Sequence, residues 1–238
     1  MDIKEAGLIK GDIAHHWYYR AKLAALHRIT RDLDPASLLD VGAGLGFYAR
    51  AMLTGTTIAQ ATCVDSGYQD DHDETIADKK LMFRRQIDRS DADLVLMMDV
   101  LEHVPDDVGL VAEYAAKVRP GTHFVVTVPA FMWLWSGHDV FLEHYRRYTL
   151  RQIEHTLRAG GLRIERGCYF YGALLPLVAA SRIGGRLLHG GRQAAGSQMR
   201  DHGAVMNALF GTVCRVELPF FRANRLAGLT ALVRARKP

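Results

Sequence analysis

Four or five short apolar segments, each followed by a helical stretch, predict an α/β protein built on a doubly wound, mostly parallel sheet. Two further observations support that class. Gly42, Gly44 and Gly46 follow directly on the first apolar segment, Ser37–Val41, and Phe47–Leu53 then reads as a helix. Asp40, Asp65, Asp99 and Pro129 all fall at or beside the C-terminal ends of expected strands, where sheets of this kind hold their ligands. Strand, glycine turn and helix together bring backbone close to a ligand and offer free N–H groups to it.

The elements follow in order. Asp12 to Thr30 carries Ile13, Trp17, Ala21, Ala24, Ala25 and Leu26 as an apolar stripe at helical spacing. His15, His16, Trp17, Tyr18 and Tyr19 cluster at its start, so this helix either packs on the sheet or caps a pocket. Asp34-Pro35 marks a turn before the first strand. Residues 58–65 form a second strand ending on Asp65, 23 residues after Gly42, close to the roughly 20-residue interval at which an acid meets a ribose in βαβ sites. The Asp-rich residues 66–80 read as a solvated loop and short helix. A third strand is expected at 81–87 and a strong fourth at Asp93–Met98. Leu101–Pro105 then leads to a helix over Asp106–Val118, Pro120-Gly121 breaks it, and His123–Val128 is a fifth strand.

Beyond that strand, residues 130–148 are crowded with Phe131, Trp133, Trp135, His138, Asp139, His144, Tyr145, Arg146, Arg147 and Tyr148. They should hang over the ligand edge of the sheet. Thr149 is a plausible N-cap for a helix to Ala159, ended by Gly160-Gly161. Leu162–Tyr171 gives a sixth strand and Leu226–Arg234 the last. The long connection between them, 172–218, holds an apolar block, Ala173–Ala180, followed by Arg182, Arg186 and Arg192. It reads as a helical insert serving as a lid, a dimer contact or a membrane contact. Residues 190–198, rich in Gly, Ser and Gln, are expected to be mobile.

Composition narrows the class. A chain of 238 residues with 49% hydrophobic and 24% charged residues buries a sizeable core as a single domain. No 18-residue run is apolar enough to span a bilayer, and Met1–Glu5 carries no apolar leader, so a cytoplasmic location is expected, with membrane association as a second possibility. Cys63, Cys168 and Cys214 match neither a disulfide framework nor a zinc spacing. The net charge of +4 is unevenly placed. Residues 140–238 contain 16 Lys/Arg, 15 of them Arg, against 5 Asp/Glu. A basic C-terminal half suits an anionic partner or a solvated basic face.

Leu39-Asp40-Val41-Gly42-Ala43-Gly44-Leu45-Gly46 resembles the first motif of class I S-adenosylmethionine-dependent methyltransferases, and Asp99-Val100-Leu101-Glu102-His103-Val104 is similar to their fourth. Asp65 matches the acid that ends their second strand, and Leu229–Lys237 looks like their closing strand. The resemblance implies a Rossmann-like, seven-stranded sheet whose last strand inserts antiparallel. It implies S-adenosyl-L-methionine as cofactor, held by Asp40, Gly42, Gly44 and Gly46 at the methionine portion, by Asp65 with Ser66 at the ribose, and by Asp99 near the sulfonium. The adenine would lie near Gln86–Asp88. No metal is implied. The competing nicotinamide fingerprint, G-x-G-x-x-G, would put its third glycine at 47, where Phe47 stands.

His16-Trp17-Tyr18, Trp135-Ser136-Gly137-His138-Asp139 and His144-Tyr145-Arg146-Arg147-Tyr148-Thr149 resemble a bacterial subgroup of such methyltransferases with unassigned substrates. The expected reaction is O- or N-methylation of a small-molecule or lipid-linked acceptor, with an anionic acceptor suiting the arginines. The alternatives are a non-methyl transfer on the same fold or an inactive cofactor-binding protein. His138, His103 and His144 are the candidate catalytic residues. Trp135, Asp139, Tyr145, Arg146 and Arg147 are the candidate acceptor contacts, the His138–Asp139 neighbours being a possible proton-abstracting pair. A nucleic-acid substrate is not expected, because Asp99-Val100-Leu101-Glu102 stands where base-modifying enzymes usually carry an Asn/Asp-Pro-Pro-Tyr/Phe sequence. A homodimer is a further expectation.

Overall fold

The computed structural model describes residues 15–188 and 203–238. The glycine- and serine-rich residues 190–198 lie outside them, as do residues 12–14 of the expected first helix. Eight strands form one sheet in the order β3-β4-β2-β1-β5-β6-β8-β7. They are β1 (Ser37–Val41), β2 (Gln60–Val64), β3 (His72–Ile76), β4 (Lys79–Arg84), β5 (Leu94–Met98), β6 (His123–Pro129), β7 (Arg163–Phe170) and β8 (Thr230–Arg236). β4, β2, β1, β5 and β6 run parallel. β8 inserts antiparallel between β6 and β7, as the resemblance implies.

The central strands are apolar throughout because both faces are covered. In β5 every residue is buried. Alternate side chains feed two cores. Leu38, Leu96 and Met98 join Leu26 and Ile29 of α1 (Trp17–Thr30) and Met52 and Leu53 of α2 (Phe47–Gly55). Leu39, Val41, Val95 and Met97 meet Val111 of α3 (Asp107–Lys117) and Ile153 and Leu157 of α5 (Leu150–Ala159) on the other face. Between β6 and α5 lies the short α4 (Gly137–Phe141). α6 (Leu175–Leu188) and α7 (Gly203–Glu217) occupy the 172–218 connection. α7 lies on α1, with Phe210 against Trp17 at 5.1 Å and the Trp17 amide donating to Asn207 at 2.7 Å.

Three expectations shift. Residues 66–80 are not a loop and short helix: they contribute β3, which pairs antiparallel with β4 and makes the sheet eight-stranded rather than seven. Ala77 and Asp78, at φ of +50° and +60°, supply the two left-handed residues of a tight hairpin. The acidic residues suit an edge strand because each finds a cation: Asp73 pairs with Lys80 and Arg84, and Glu74 holds the Arg50 guanidinium by two bonds of 2.7 and 2.8 Å. The strand expected at 81–87 starts earlier, at Lys79, and the last strand runs four residues later than expected at its start, from Thr230.

Thr149 caps α5 in a two-way box with Gln152. Thr149→Ala is expected to lower stability by about 1 kcal/mol, seen as a lower urea midpoint with an unchanged slope.

Candidate active site

The sheet reverses its strand order at β1 and β5, so the crevice opens at their C-terminal ends. Gly42, Gly44 and Gly46 have φ of +64°, +54° and +70°. Gly42 must also be glycine for space, since a Cβ there would stand 2.7 Å from the Val100 side chain. Gly46 begins α2 with no side chain capping the first turn, which leaves backbone N–H groups facing the crevice end.

Four carboxylates, those of Asp40, Asp65, Asp99 and Glu102, stand at this edge of the sheet with different partners. Asp40 is 1% exposed and its Oδ2 has no hydrogen-bond partner among the described residues. Burial pushes its carboxyl up to about 7, the Ala49 amide opposing this and the Asp65 charge adding to it. Asp65, by contrast, accepts the Gly44 amide on Oδ2 and the Gly67 amide on Oδ1, both at 2.9 Å, which locks the loop after β2 onto the glycine turn. Ser66 is exposed beside it. The Tyr68 hydroxyl donates to the Gly44 carbonyl at 2.6 Å.

Asp99 sits at φ +57° just past β5. It accepts from the buried Lys22 ammonium of α1 and from the Thr127 hydroxyl at 3.0 Å. Burial alone would raise the Asp99 carboxyl and lower the Lys22 ammonium. Their mutual attraction reverses both, so Asp99 is held below and Lys22 above its ordinary value. Lys22 also donates to the Tyr18 hydroxyl at 2.7 Å. Glu102 is fully buried, neither carboxylate oxygen has a hydrogen bond within the described residues, and burial followed by the Asp99 charge pushes its carboxyl well above the usual range.

The segment after β6 closes against these residues. Phe131 turns the chain at φ +60°, and Tyr148 returns to form a bridge with Ala130. The Tyr145 amide donates to the Glu102 carbonyl at 2.8 Å, and the His103 and His144 rings meet edge-on at 4.6 Å. Asp139, completely buried, organises the segment. Its Oδ1 accepts from Arg147 Nε at 2.6 Å and contacts His144 Nδ1 at 3.0 Å. Its Oδ2 accepts from the Ser136 amide, the Ser136 hydroxyl and Arg147 Nη2. Burial would raise the Asp139 carboxyl, but the His144 and Arg147 bonds hold it well below the usual carboxylate range. Since an ionised carboxylate only accepts, His144 Nδ1 is the donor of that contact. The Arg182 guanidinium of α6 stands 3.9 Å from Asp139.

The structure therefore brings Asp40, the three glycines and Asp65 together, with Asp99 opposite, and it brings His103 to His144. Asp139 pairs with His144 and Arg147, because the short α4 and the left-handed Glu143 (φ +57°) fold the chain back on itself. His138 and Trp135 are half-buried and Tyr145 is 57% exposed. Both arginines read as anion forks engage this chain's own carboxylates, Arg147 with Asp139 and Arg146 with Asp107 at 3.4 Å. Lys22 and the orphaned Glu102 carboxylate went unrecognised as site residues in the sequence. A lysine on the apolar stripe of the first helix, between Ala21 and Ala25, was the available signal for the first. Glu102 stands in the stretch similar to the fourth motif, but nothing in the sequence marks its carboxylate as unpartnered.

The chain belongs to the methyltransferase domain family, whose model matches residues 14–166. Its sheet and motifs are those of the class I, S-adenosylmethionine-dependent branch. The ubiquinone biosynthesis O-methyltransferase of Cupriavidus pinatubonensis is 29% identical over 171 residues, a match that covers 58% of this chain and 66%, just under two thirds, of that relative. Among solved structures, a Haloferax volcanii methyltransferase in complex with the Trm112 activator superposes with a TM-score of 0.54 at 17% identity, over 92% of this chain and 91% of that one. The [4+2]-cyclase SpnF gives 0.54 at 18%, over 97% and 86%. Phosphoethanolamine N-methyltransferase 2 of Haemonchus contortus, solved with S-adenosyl-L-methionine, gives 0.51 at 15%, over 90% and 52%. At these identities the likeness is one of fold.

Asp40 gives the free chain a specific pH dependence. Its folded-state value of about 7 lies above the ordinary aspartate value near 4. Its favourable contribution is complete below about pH 4 and is lost as pH rises through 7. Asp40→Asn should remove that loss. The stability difference between variant and wild type should move in the variant's favour from pH 5 to pH 8, by on the order of 1–4 kcal/mol, read from paired urea melts.

Proposed function

We propose that this chain is an S-adenosylmethionine-dependent methyltransferase that methylates a hydroxyl oxygen of a small-molecule or lipid-linked acceptor. The observation that carries this is the glycine turn with Asp40 beneath it, a buried carboxylate with an unpartnered oxygen at the switch point of the sheet. That oxygen suits a cationic ligand group, and the left-handed glycines leave room that any side chain at Gly42 would fill. The residues present therefore fit the cofactor of the family.

The sulfonium of S-adenosylmethionine supplies an electrophilic methyl group when bound. This chain's residues position it. Gly42, Gly44 and Gly46 with Asp40 hold the amino-acid end, and Asp65, with Ser66 beside it, takes the ribose hydroxyls through lone pairs its two backbone bonds leave available. Asp99, fixed by Lys22 and Thr127, sits near the methyl donor. On the acceptor side, Trp135, His138 and Tyr145 line the approach, and the Glu102, His103 and His144 group promotes loss of the acceptor's hydroxyl proton. Arg146 and Arg147 set the walls through their own carboxylates. Oxygen as the methylated atom is supported by that proton-handling group, since a neutral hydroxyl must lose its proton to become a good nucleophile, and by the O-methyltransferase name of the Cupriavidus relative.

The insert covers this side. Arg182 carries α6 to Asp139, which suits a lid. The exposed Leu177, Ile183, Val205, Leu209 and Val216 of α6 and α7 suit a lipid-linked acceptor presented at a membrane surface. Among the described residues no helix is long and apolar enough to cross a membrane.

S-adenosylhomocysteine is expected to raise the melting temperature while NADH does not. Asp65→Ala should weaken S-adenosylhomocysteine binding at least about tenfold by calorimetry, as expected for losing more than ~1.4 kcal/mol of polar contacts. A labelled-methyl screen should label hydroxyl compounds and not amines. Stabilisation by NADH alone, or unimpaired binding by Asp65→Ala, would refute the cofactor assignment.

A further inference from the structure

Glu102, His103 and His144 present one carboxylate oxygen and two imidazole nitrogens that all lie within 4.8 Å of one another. From this geometry we infer that they form a binding site for one divalent transition-metal ion, of the zinc, manganese or cobalt class, at the acceptor side of the crevice. This rests on the methyl-transfer function proposed above for its role, though not for its existence.

Three features point the same way. The carboxylate of Glu102 is fully buried and neither oxygen has a hydrogen bond among the described residues. A buried acidic side chain without partners is costly unless a cation meets it. Second, His144 is held as metal-binding histidines are: its Nδ1 lies 3.0 Å from the Asp139 carboxylate, so that Nε2 is the ring nitrogen left to meet an ion. Asp139 is itself pinned by Arg147 and Ser136, so the imidazole is held from behind by a rigid network. Third, the ligands come from two elements already locked together. Glu102 and His103 lie on the short turn after β5, and His144 on the returning segment whose Tyr145 amide bonds the Glu102 carbonyl.

The donor set fixes the class of ion. Two imidazoles and one carboxylate favour a borderline transition metal over magnesium or calcium, which prefer all-oxygen shells. Three protein ligands leave at least one coordination position open, as catalytic rather than structural sites do. Glu102 stands three residues beyond Asp99, so the open position is near the methyl donor. An acceptor hydroxyl taking that position would become more acidic and release its proton to solvent. The new O–CH3 bond then forms as the S–CH3 bond breaks, and the electron pair of that bond stays on sulfur. In this arrangement His144 acts as a ligand and Asp139 as its positioning residue.

The test is a titration of the purified full chain with Co2+, followed by the visible d–d absorption of the bound ion and by calorimetry, with Zn2+ as competitor. One equivalent should bind, with displacement by Zn2+ and not by Mg2+. Glu102→Gln, which keeps the shape of the buried side chain, should weaken Co2+ at least about tenfold while binding S-adenosylhomocysteine as the wild type does. His144→Ala should do the same. Asp139→Asn should weaken the ion by about 10–100-fold and alter the spectrum, a change that a merely structural defect would not produce in molecules that still bind S-adenosylhomocysteine. Absence of saturable one-to-one Co2+ binding, or an unchanged affinity in both Glu102→Gln and His144→Ala, would overturn the metal site. S-adenosylhomocysteine binding alongside such a failure would leave the methyltransferase function standing, and Co2+ binding without S-adenosylhomocysteine binding would do the reverse.

Discussion

Negative charge gathered at the C-terminal edge of a parallel sheet is the constraint on which the site depends. β1, β2 and β5 each finish on or beside an aspartate, and the turn after β5 adds Glu102. Such groups close together in a poorly solvated place repel one another and lose hydration. The chain answers the problem in separate ways. Asp65 is satisfied by backbone amides. Asp99 is matched by an ammonium carried in from α1. Asp40 and Glu102 form no ion pair among the described residues, and burial pushes both toward their protonated forms. For Asp40 the cost of ionisation is on the order of 4 kcal/mol above that in water, an amount that a positively charged ligand beside the glycine turn would offset. The crevice is thus electrostatically incomplete in the one direction that favours a cationic cofactor.

Asp139 plays the corresponding part on the acceptor side, with the opposite balance. It is surrounded by donors, and a second guanidinium, that of Arg182, approaches it from α6. A buried carboxylate held ionised in this way makes the surrounding segment rigid, because removing any single donor leaves charge unmatched in a place with little water. That rigidity matters for function: His144, bonded to Asp139, cannot rotate freely, and it stands with His103 and Glu102 in one cluster. The arginines that a charge count assigns to an anionic acceptor thus serve first to fix this wall.

The parts of this arrangement that were legible in the sequence are those with a local signature. Strands buried on both faces give continuous apolar runs, so β1, β5 and β6 stand out. The spacing of Gly42, Gly44 and Gly46 reports a backbone that only glycine adopts cheaply. β3 was not legible because an exposed edge strand carries no hydrophobic alternation, and its charges are satisfied by residues such as Arg50, 24 positions away from Glu74. The same holds for Lys22, whose partner lies 77 residues on. On the acceptor side the partners of Asp139, His144 and Arg147, stand five and eight residues on in the chain. Interactions set by tertiary closure leave no trace in periodicity or spacing.

The two halves of the crevice carry different kinds of information. The glycine turn and the strand-end acids belong to the fold, and a fold of this kind also underlies SpnF, a [4+2]-cyclase, so the cofactor half alone does not dictate a reaction. Selection of chemistry falls to the acceptor half, where Glu102 is the junction. It follows Asp99 on the same short turn, its backbone carbonyl ties down Tyr145, and its side chain faces His103 and His144. A displacement of the 130–148 segment would therefore move His144 relative to Glu102 before it disturbed the glycine turn. Because α6 reaches Asp139 through Arg182, the connection between β7 and β8 touches the same carboxylate that holds His144, and a change at either end of that contact bears on the other.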